Sequence, residues 1–166
     1  MTNVHQVRTL ARNRMWADQL TFDAVAALPP GEAAKRRPTL FKTMIGTLNH
    51  NYVIDLIWQA HLEGRDHGFK ARDLVLHEDL GDLWTAQKAM NQWYIDWSKA
   101  QSEESLADVV RYAFIGGERG ATTRGDILLH VVNHATYHRG WVAQMFFQVP
   151  ARNPAADLPV FLGKVA

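Results

Sequence analysis

Three histidines in this chain have the type and spacing to grip one metal ion: His50, His134 and His138. His134 and His138 are four residues apart, so on a helix their imidazoles stack on adjacent turns of one face. At about 100° per residue His138 is turned only about 40° from His134. Ile127, Val131, Trp141 and Met145 fall on the same face, so both rings sit in an apolar stripe that turns to a core. His50 sits the same way among Gly46, Val53, Ile54 and Ile57. Any one of these rings alone also reads as a core histidine bonded to a neighbour. Three together at one level are costly to bury unless something pairs with all of them, and a metal ion does so in one step.

The other histidines sort by position. His130 precedes His134 by four residues but sits to the side of the stripe, and reads as a flanking group that orients a ligand. His61 shares the face of His50, yet eleven residues carry it ~16 Å further along the helix. His5, His67 and His77 fall near the terminus or in loops and are expected at the surface. Asp55 and Asp126 lie only loosely near the metal faces, so no carboxylate is assigned as a general base and no catalytic residue is named.

Four periodic stretches must position these rings. They run from about 3 to 28, 39 to 63, 80 to 100 and 123 to 149. Pro29-Pro30-Gly31, Gly64 and Pro150 stop three of them, and Thr39 after Pro38 is the expected N-cap of the second. Helices of this length span ~30–40 Å, and four of matched length make an all-α, four-helix bundle. His50, His134 and His138 all lie mid-helix, so they meet at one height whether the two helices run parallel or antiparallel. Residues 64–79 are long enough to cross the bundle. Val109 to Phe114, then Gly116-Gly117, then Thr122-Thr123 reads as a small β-hairpin between the third and fourth helices. The tail after Pro150, with Leu158, Val160, Phe161 and Leu162, is expected to pack back onto the bundle.

The whole chain limits the function. Its 166 residues make one domain, 1–166, with an ordinary apolar fraction of 47%. Lys+Arg 18 against Asp+Glu 17 leaves no concentration of positive charge for nucleic acid. The one basic cluster, Lys35-Arg36-Arg37, reads as a solvated loop. No apolar run is long enough to span a bilayer and no signal peptide is seen, so the expectation is a cytoplasmic protein without a membrane partner. There is no cysteine. Thiolate ligands and thiolate catalysis by the protein are excluded, and any thiolate must come from a small molecule.

Gly46-Thr47-Leu48-Asn49-His50 and the segment Leu129-His130-Val131-Val132-Asn133-His134-Ala135-Thr136-Tyr137-His138-Arg139-Gly140 resemble the second and final helices of the DinB/YfiT-like metalloenzymes. Asn13-Arg14-Met15-Trp16-Ala17 resembles the first-helix pattern, so the resemblance covers nearly the whole chain. It implies an up-down-down-up bundle, a nickel or zinc ion held by His50, His134 and His138, and a homodimer. It also implies thiol-dependent transferases or isomerases that use small thiols, alongside members without known activity. The chain departs from the pattern at Trp141, where the family often has Gln; on the metal face a Trp would narrow the pocket or replace a polar contact to the substrate. Two functions stay open: a metal-dependent enzyme that transfers a thiol to, or hydrolyses, a small substrate, and a non-catalytic metal-binding or stress-response protein. The clustered Trp93, Tyr94 and Trp97 cannot all face one core, which agrees with a pairing surface.

Overall fold

The computed structural model describes residues 2–165. It has six α-helices and one two-stranded hairpin: α1 Val4–Ala26, α2 Met44–Leu62, α3 Leu80–Lys99, α4 Glu103–Ala107, β1 Val109–Ala113, β2 Arg119–Thr123, α5 Arg124–Phe146 and α6 Leu158–Val165. Side chains with free oxygens start the helices. Asn3 and Gln6 form a capping box on α1, Asp79 caps α3 through Gly81 and Asp82, and Thr123 caps α5 through Asp126. Gly64, at φ 70°, closes α2 in the left-handed conformation that glycine adopts without penalty.

The long helices form a ring in the order α1, α3, α2, α5. Their directions follow from contacts along their lengths. Arg8, early in α1, bonds the carbonyl oxygens of Ser98 and Lys99 at the end of α3, while Phe22 packs on Trp84 near its start. Those two helices are antiparallel. Met44 and Leu83, near the starts of α2 and α3, share one apolar cluster, and Leu62 and Ile95, near their ends, share another, so α2 and α3 run parallel. Trp58 meets His130 while His50 meets His138, so α2 and α5 are antiparallel. The bundle is therefore up-down-down-up, and residues 64–79 make the crossover that parallel α2 and α3 require.

Two apolar clusters fill the bundle, one around Val53, Met90 and Val131 and the other around Met44, Leu83 and Met145. Between them lies a buried polar network from all four long helices. Arg14 Nε and Nη2 donate to Asp18 and Asp55 at 2.6 Å each, and Arg139 Nη1 donates to Asp18 at 2.9 Å. Gln87 and Asn91 of α3 complete the two carboxylates, at 2.8 and 2.9 Å. Two guanidiniums and two carboxylates leave the cluster with no net charge, which is how four charged groups are buried in a small domain.

The hairpin stands where expected, with Val109 opposite Thr123. The tail also packs back: Phe161 of α6 is buried with its ring 5.6 Å from that of Trp16. Three expectations need correction. The cap of α2 is Thr43, not Thr39, because residues 37–42 are drawn into a tight loop with Lys42 at φ 66°. Arg37 is not solvated. It is buried in that loop, donating to Glu32 at 2.7 Å and to the carbonyl oxygens of Glu32 and Lys35. His67 and His77 are half-buried rather than superficial, since the crossover that carries them lies against the bundle. No helix among the described residues is long and apolar enough to cross a membrane.

Candidate metal centre

The antiparallel pair α2 and α5 brings His50, His134 and His138 together. Each offers one nitrogen, and these nitrogens lie within 4.8 Å of one another. Ring centroids are 4.4 to 5.0 Å apart across the three pairs. His50 and His138 are buried and His134 is half-buried. Nε2 of His50 stands 3.2 Å from Nε2 of His134. Two nitrogens bound tetrahedrally to a zinc-sized ion are about 3.3 Å apart, so this separation already matches one edge of a coordination tetrahedron.

The protonation states also suit a ligand set. Nδ1 of His50 lies 2.8 Å from the carbonyl oxygen of Arg72. A carbonyl only accepts, so Nδ1 carries the proton and Nε2 presents its lone pair to the other two rings. Burial, and then the neighbouring imidazoles led by His138, push the pKa of His134 down to about 2. Burial and His50 push that of His138 down to about 4. Burial likewise lowers His50, against the bond to Arg72. All three are neutral near pH 7, the form that binds a metal. Nδ1 of His134 and Nδ1 of His138 are buried without a hydrogen-bond partner in the protein. With Nε2 of His50 bare, the facing Nε2 of His134 donates to it when no ion lies between them; for His138 no hydrogen bond among the described residues sets which nitrogen carries the proton.

Phe41 covers the cluster. Its ring stacks on His50 with centroids 4.1 Å apart at 18°, and approaches His138 at 5.5 Å. A glycine makes this possible. A Cβ at Gly46 would sit 2.4 Å from the carbonyl oxygen of Phe41, so only glycine lets the 37–42 loop lie so close to α2. Trp141 packs edge-on against His138 at 4.7 Å and 5.7 Å from Phe41, outside the lining of the cavity. Phe41, not Trp141, is the aromatic ring that walls the cavity beside these histidines.

The three rings open onto a cavity of about 640 Å³. Ile54, Ile57 and Trp58 of α2 form one wall, Phe114 and Ile115 after β1 another, and Arg72 and Asp73 of the crossover the rim. His130 and His61 line its far part, both edge-on to Trp58 at 5.0 and 5.4 Å. His130 flanks His134 at 5.7 Å but makes no hydrogen bond to it, so the expected orienting role is not seen. The Arg72 carbonyl orients a ring instead. His61 stays out of the three-histidine group. Asp55 belongs to the polar network and Asp126 to the surface, where it accepts from Thr2. Neither reaches the histidines.

Sequence reasoning missed three participants. Phe41 is signalled only by a glycine three residues before Asn49, which looks like any helical glycine. Asn49 is a polar residue next to a ligand candidate on a fully buried stretch, a usable signal. The Arg72 carbonyl is backbone and leaves no trace in residue type.

The family model described as DinB family matches residues 1–164. Among curated proteins, Protein DinB of Bacillus subtilis (strain 168) is 26% identical over 155 residues, covering 89% of this chain and 88% of that protein.

Proposed function

The chain belongs to the DinB family, and from that premise we propose that His50, His134 and His138 hold one divalent ion, nickel or zinc, in a metal-dependent enzyme acting on a small molecule. The observation that carries this reading is the convergence of three neutral imidazoles, two of them with Nε2 atoms 3.2 Å apart, at the inner end of a largely apolar cavity. Three protein ligands leave a coordination position open, the arrangement of reactive rather than structural sites. When bound, such an ion supplies Lewis acidity and lowers the pKa of a water or thiol ligand towards neutrality.

The chain's own residues do the rest. The imidazoles, being neutral, leave the full charge of the ion to favour an anionic group. Phe41 shields the outer face of His50 from water. Ile54, Ile57 and Trp58 offer apolar surface to the body of a substrate. With no cysteine in the chain, a thiol nucleophile comes from a small-molecule thiol. Transfer of such a thiol to an electrophile, or hydrolysis of that electrophile, is the reaction class this supports.

Elemental analysis of purified protein is expected to give nearly one nickel or zinc per chain, lost in the His134→Ala, His138→Ala double variant. Unchanged metal content in that variant overturns the site. The metal-loaded protein is expected to turn over a test electrophile with a small thiol or water, and His134→Ala to abolish this. A metal-loaded protein inert with every thiol and with water points to the non-catalytic, metal-binding reading.

The same proposal includes a homodimer. Leu129, Leu158 and Leu162 line an exposed groove of about 610 Å³ beside the start of α1, and Trp93 and Trp97 are half-buried on α3. Apolar surface of this kind on one subunit supports pairing with a second copy.

A further inference from the structure

Asn49 sits next to His50 on α2, fully buried, with its side chain turned to the crossover rather than to the cavity. Its four hydrogen-bonding positions are all used. Oδ1 accepts from the backbone N–H of Leu76 at 2.8 Å and of His77 at 3.0 Å. Nδ2 donates to the carbonyl oxygens of His77 at 2.8 Å and Ile45 at 3.0 Å. Three of these bonds seize two consecutive residues of the 64–79 segment, which has no secondary structure of its own beyond turns. Four residues upstream in the same segment, the carbonyl of Arg72 accepts from Nδ1 of His50. Adjacent residues of α2 thus hold the same strand of loop, one by a clasp and the other by a single bond.

We propose that Asn49 is a positioning residue: by clasping Leu76 and His77 it holds the Arg72 carbonyl against His50, and so fixes the tautomer that leaves Nε2 bare towards His134. The physical need is plain. A lone loop carbonyl, without an anchor, samples many positions and selects neither tautomer. A buried amide with all its bonds met is expensive to disturb, because each broken bond leaves a polar group without water to replace it. The clasp transfers that rigidity to the loop, and the loop passes it to the ring. A hydrogen bond on the far nitrogen is what sets the tautomer and direction of a metal-binding imidazole, and its loss weakens metal affinity about 10–100-fold.

The test uses full-length, metal-stripped protein with ¹⁵N-labelled histidine, so that it stands whether or not the three histidines hold a metal. Ring nitrogen shifts of His50 at neutral pH are expected to show Nδ1 protonated and Nε2 bare. In Asn49→Ala these signals move towards those of mixed tautomers, and zinc affinity, measured separately with zinc alone, falls about 10–100-fold. Arg72→Ala keeps the carbonyl and is expected to leave the His50 signals unchanged. Wild-type protein with Nε2 protonated overturns the proposal, as does folded Asn49→Ala with wild-type His50 signals. Should Asn49→Ala not fold, Leu76→Pro deletes one of the two amide donors at a residue 41% exposed. A partial shift of the His50 signals is then expected, and wild-type signals overturn the proposal. Absence of zinc binding in the wild type would remove the metal reading alone and leave the tautomer result to decide this one.

Discussion

Arg14 on α1 and Asp55 on α2 join the two helices that stand diagonally across the bundle. Nη2 meets Oδ2 at 2.6 Å and Nη1 meets Oδ1 at 3.3 Å. The same guanidinium holds Asp18 and donates to the carbonyl oxygen of Val131 at 3.0 Å. Val131 is one turn before His134, so this centre also anchors the helix that carries two of the three histidines.

Removing Arg14 is therefore expected to be severe. Arg14→Leu leaves Asp18 and Asp55 buried with only Arg139 to balance them. A cost of ~3–5 kcal/mol is expected, the range for a buried pair broken from one side. Chemical denaturation measures it, and a loss below ~1 kcal/mol would show that the carboxylates find water or other partners.

Asp55 gives a pH signature. Burial pushes its pKa up to about 6, against the pull of Arg14 and Gln87. The folded chain thus keeps a proton that the unfolded chain has already lost between the ordinary value of 3.8 and about 6. This contribution to stability is fully present below 3.8 and is lost as pH rises through about 6. Asp55→Asn removes it. The stability of the variant relative to wild type is expected to rise between those two pH values, by roughly 3 kcal/mol at most. A difference that stays flat across that window contradicts the raised value.

Gly46→Ala is expected to destabilise, although a helical Gly→Ala exchange ordinarily adds up to ~1 kcal/mol. The new Cβ meets the backbone oxygen of Phe41 at 2.4 Å, and backbone cannot swing aside as a side chain can. A loss of ~1–3 kcal/mol, the usual cost of overpacking, is expected. Movement of Phe41 away from His50 should accompany it, visible as a changed ring-current shift on the His50 protons. A stabilised variant would show that the loop is not held against α2.

Chelation is expected to leave the helices intact. Two apolar clusters and the Arg14–Asp18–Asp55–Arg139 network hold the bundle without help from the histidines. Metal at about a hundred times its Kd should add ~2.7 kcal/mol by mass action. Complete loss of helical circular dichroism on adding chelator at room temperature would make the site structural instead.

Association is checked by sedimentation at micromolar concentration. A mass near twice the 18.8 kDa of one chain is expected. A single-chain mass rejects the dimer and leaves the groove beside Leu158 and Leu162 open to solvent.

Much of this protein was legible in its residues. Helical periodicity located the four long helices to within a few residues, apart from the start of α2, because an amphipathic stripe is a local property of the chain. The spacing of His134 and His138 put both rings on one face for the same reason. The mid-helix placement of His50 made their meeting independent of topology. The hairpin announced itself through β-branched residues around Gly116-Gly117.

What only the tertiary structure decided depends on partners far apart in sequence. Arg37 reads as part of a basic surface cluster until the loop folds round it. Asp55 reads as a stray acid until Arg14, forty-one residues away, is seen to hold it. Tyr94, part of an aromatic cluster without an evident core face, proves buried and donates to the carbonyl oxygen of Asp55 at 2.8 Å. Residue type and spacing determined which side chains face inward on each helix. Which nitrogen of His50 keeps its proton and which aromatic ring covers it were set by the path of two loops. That path follows from one close approach at Gly46 and one amide at Asn49, and neither is encoded in periodicity.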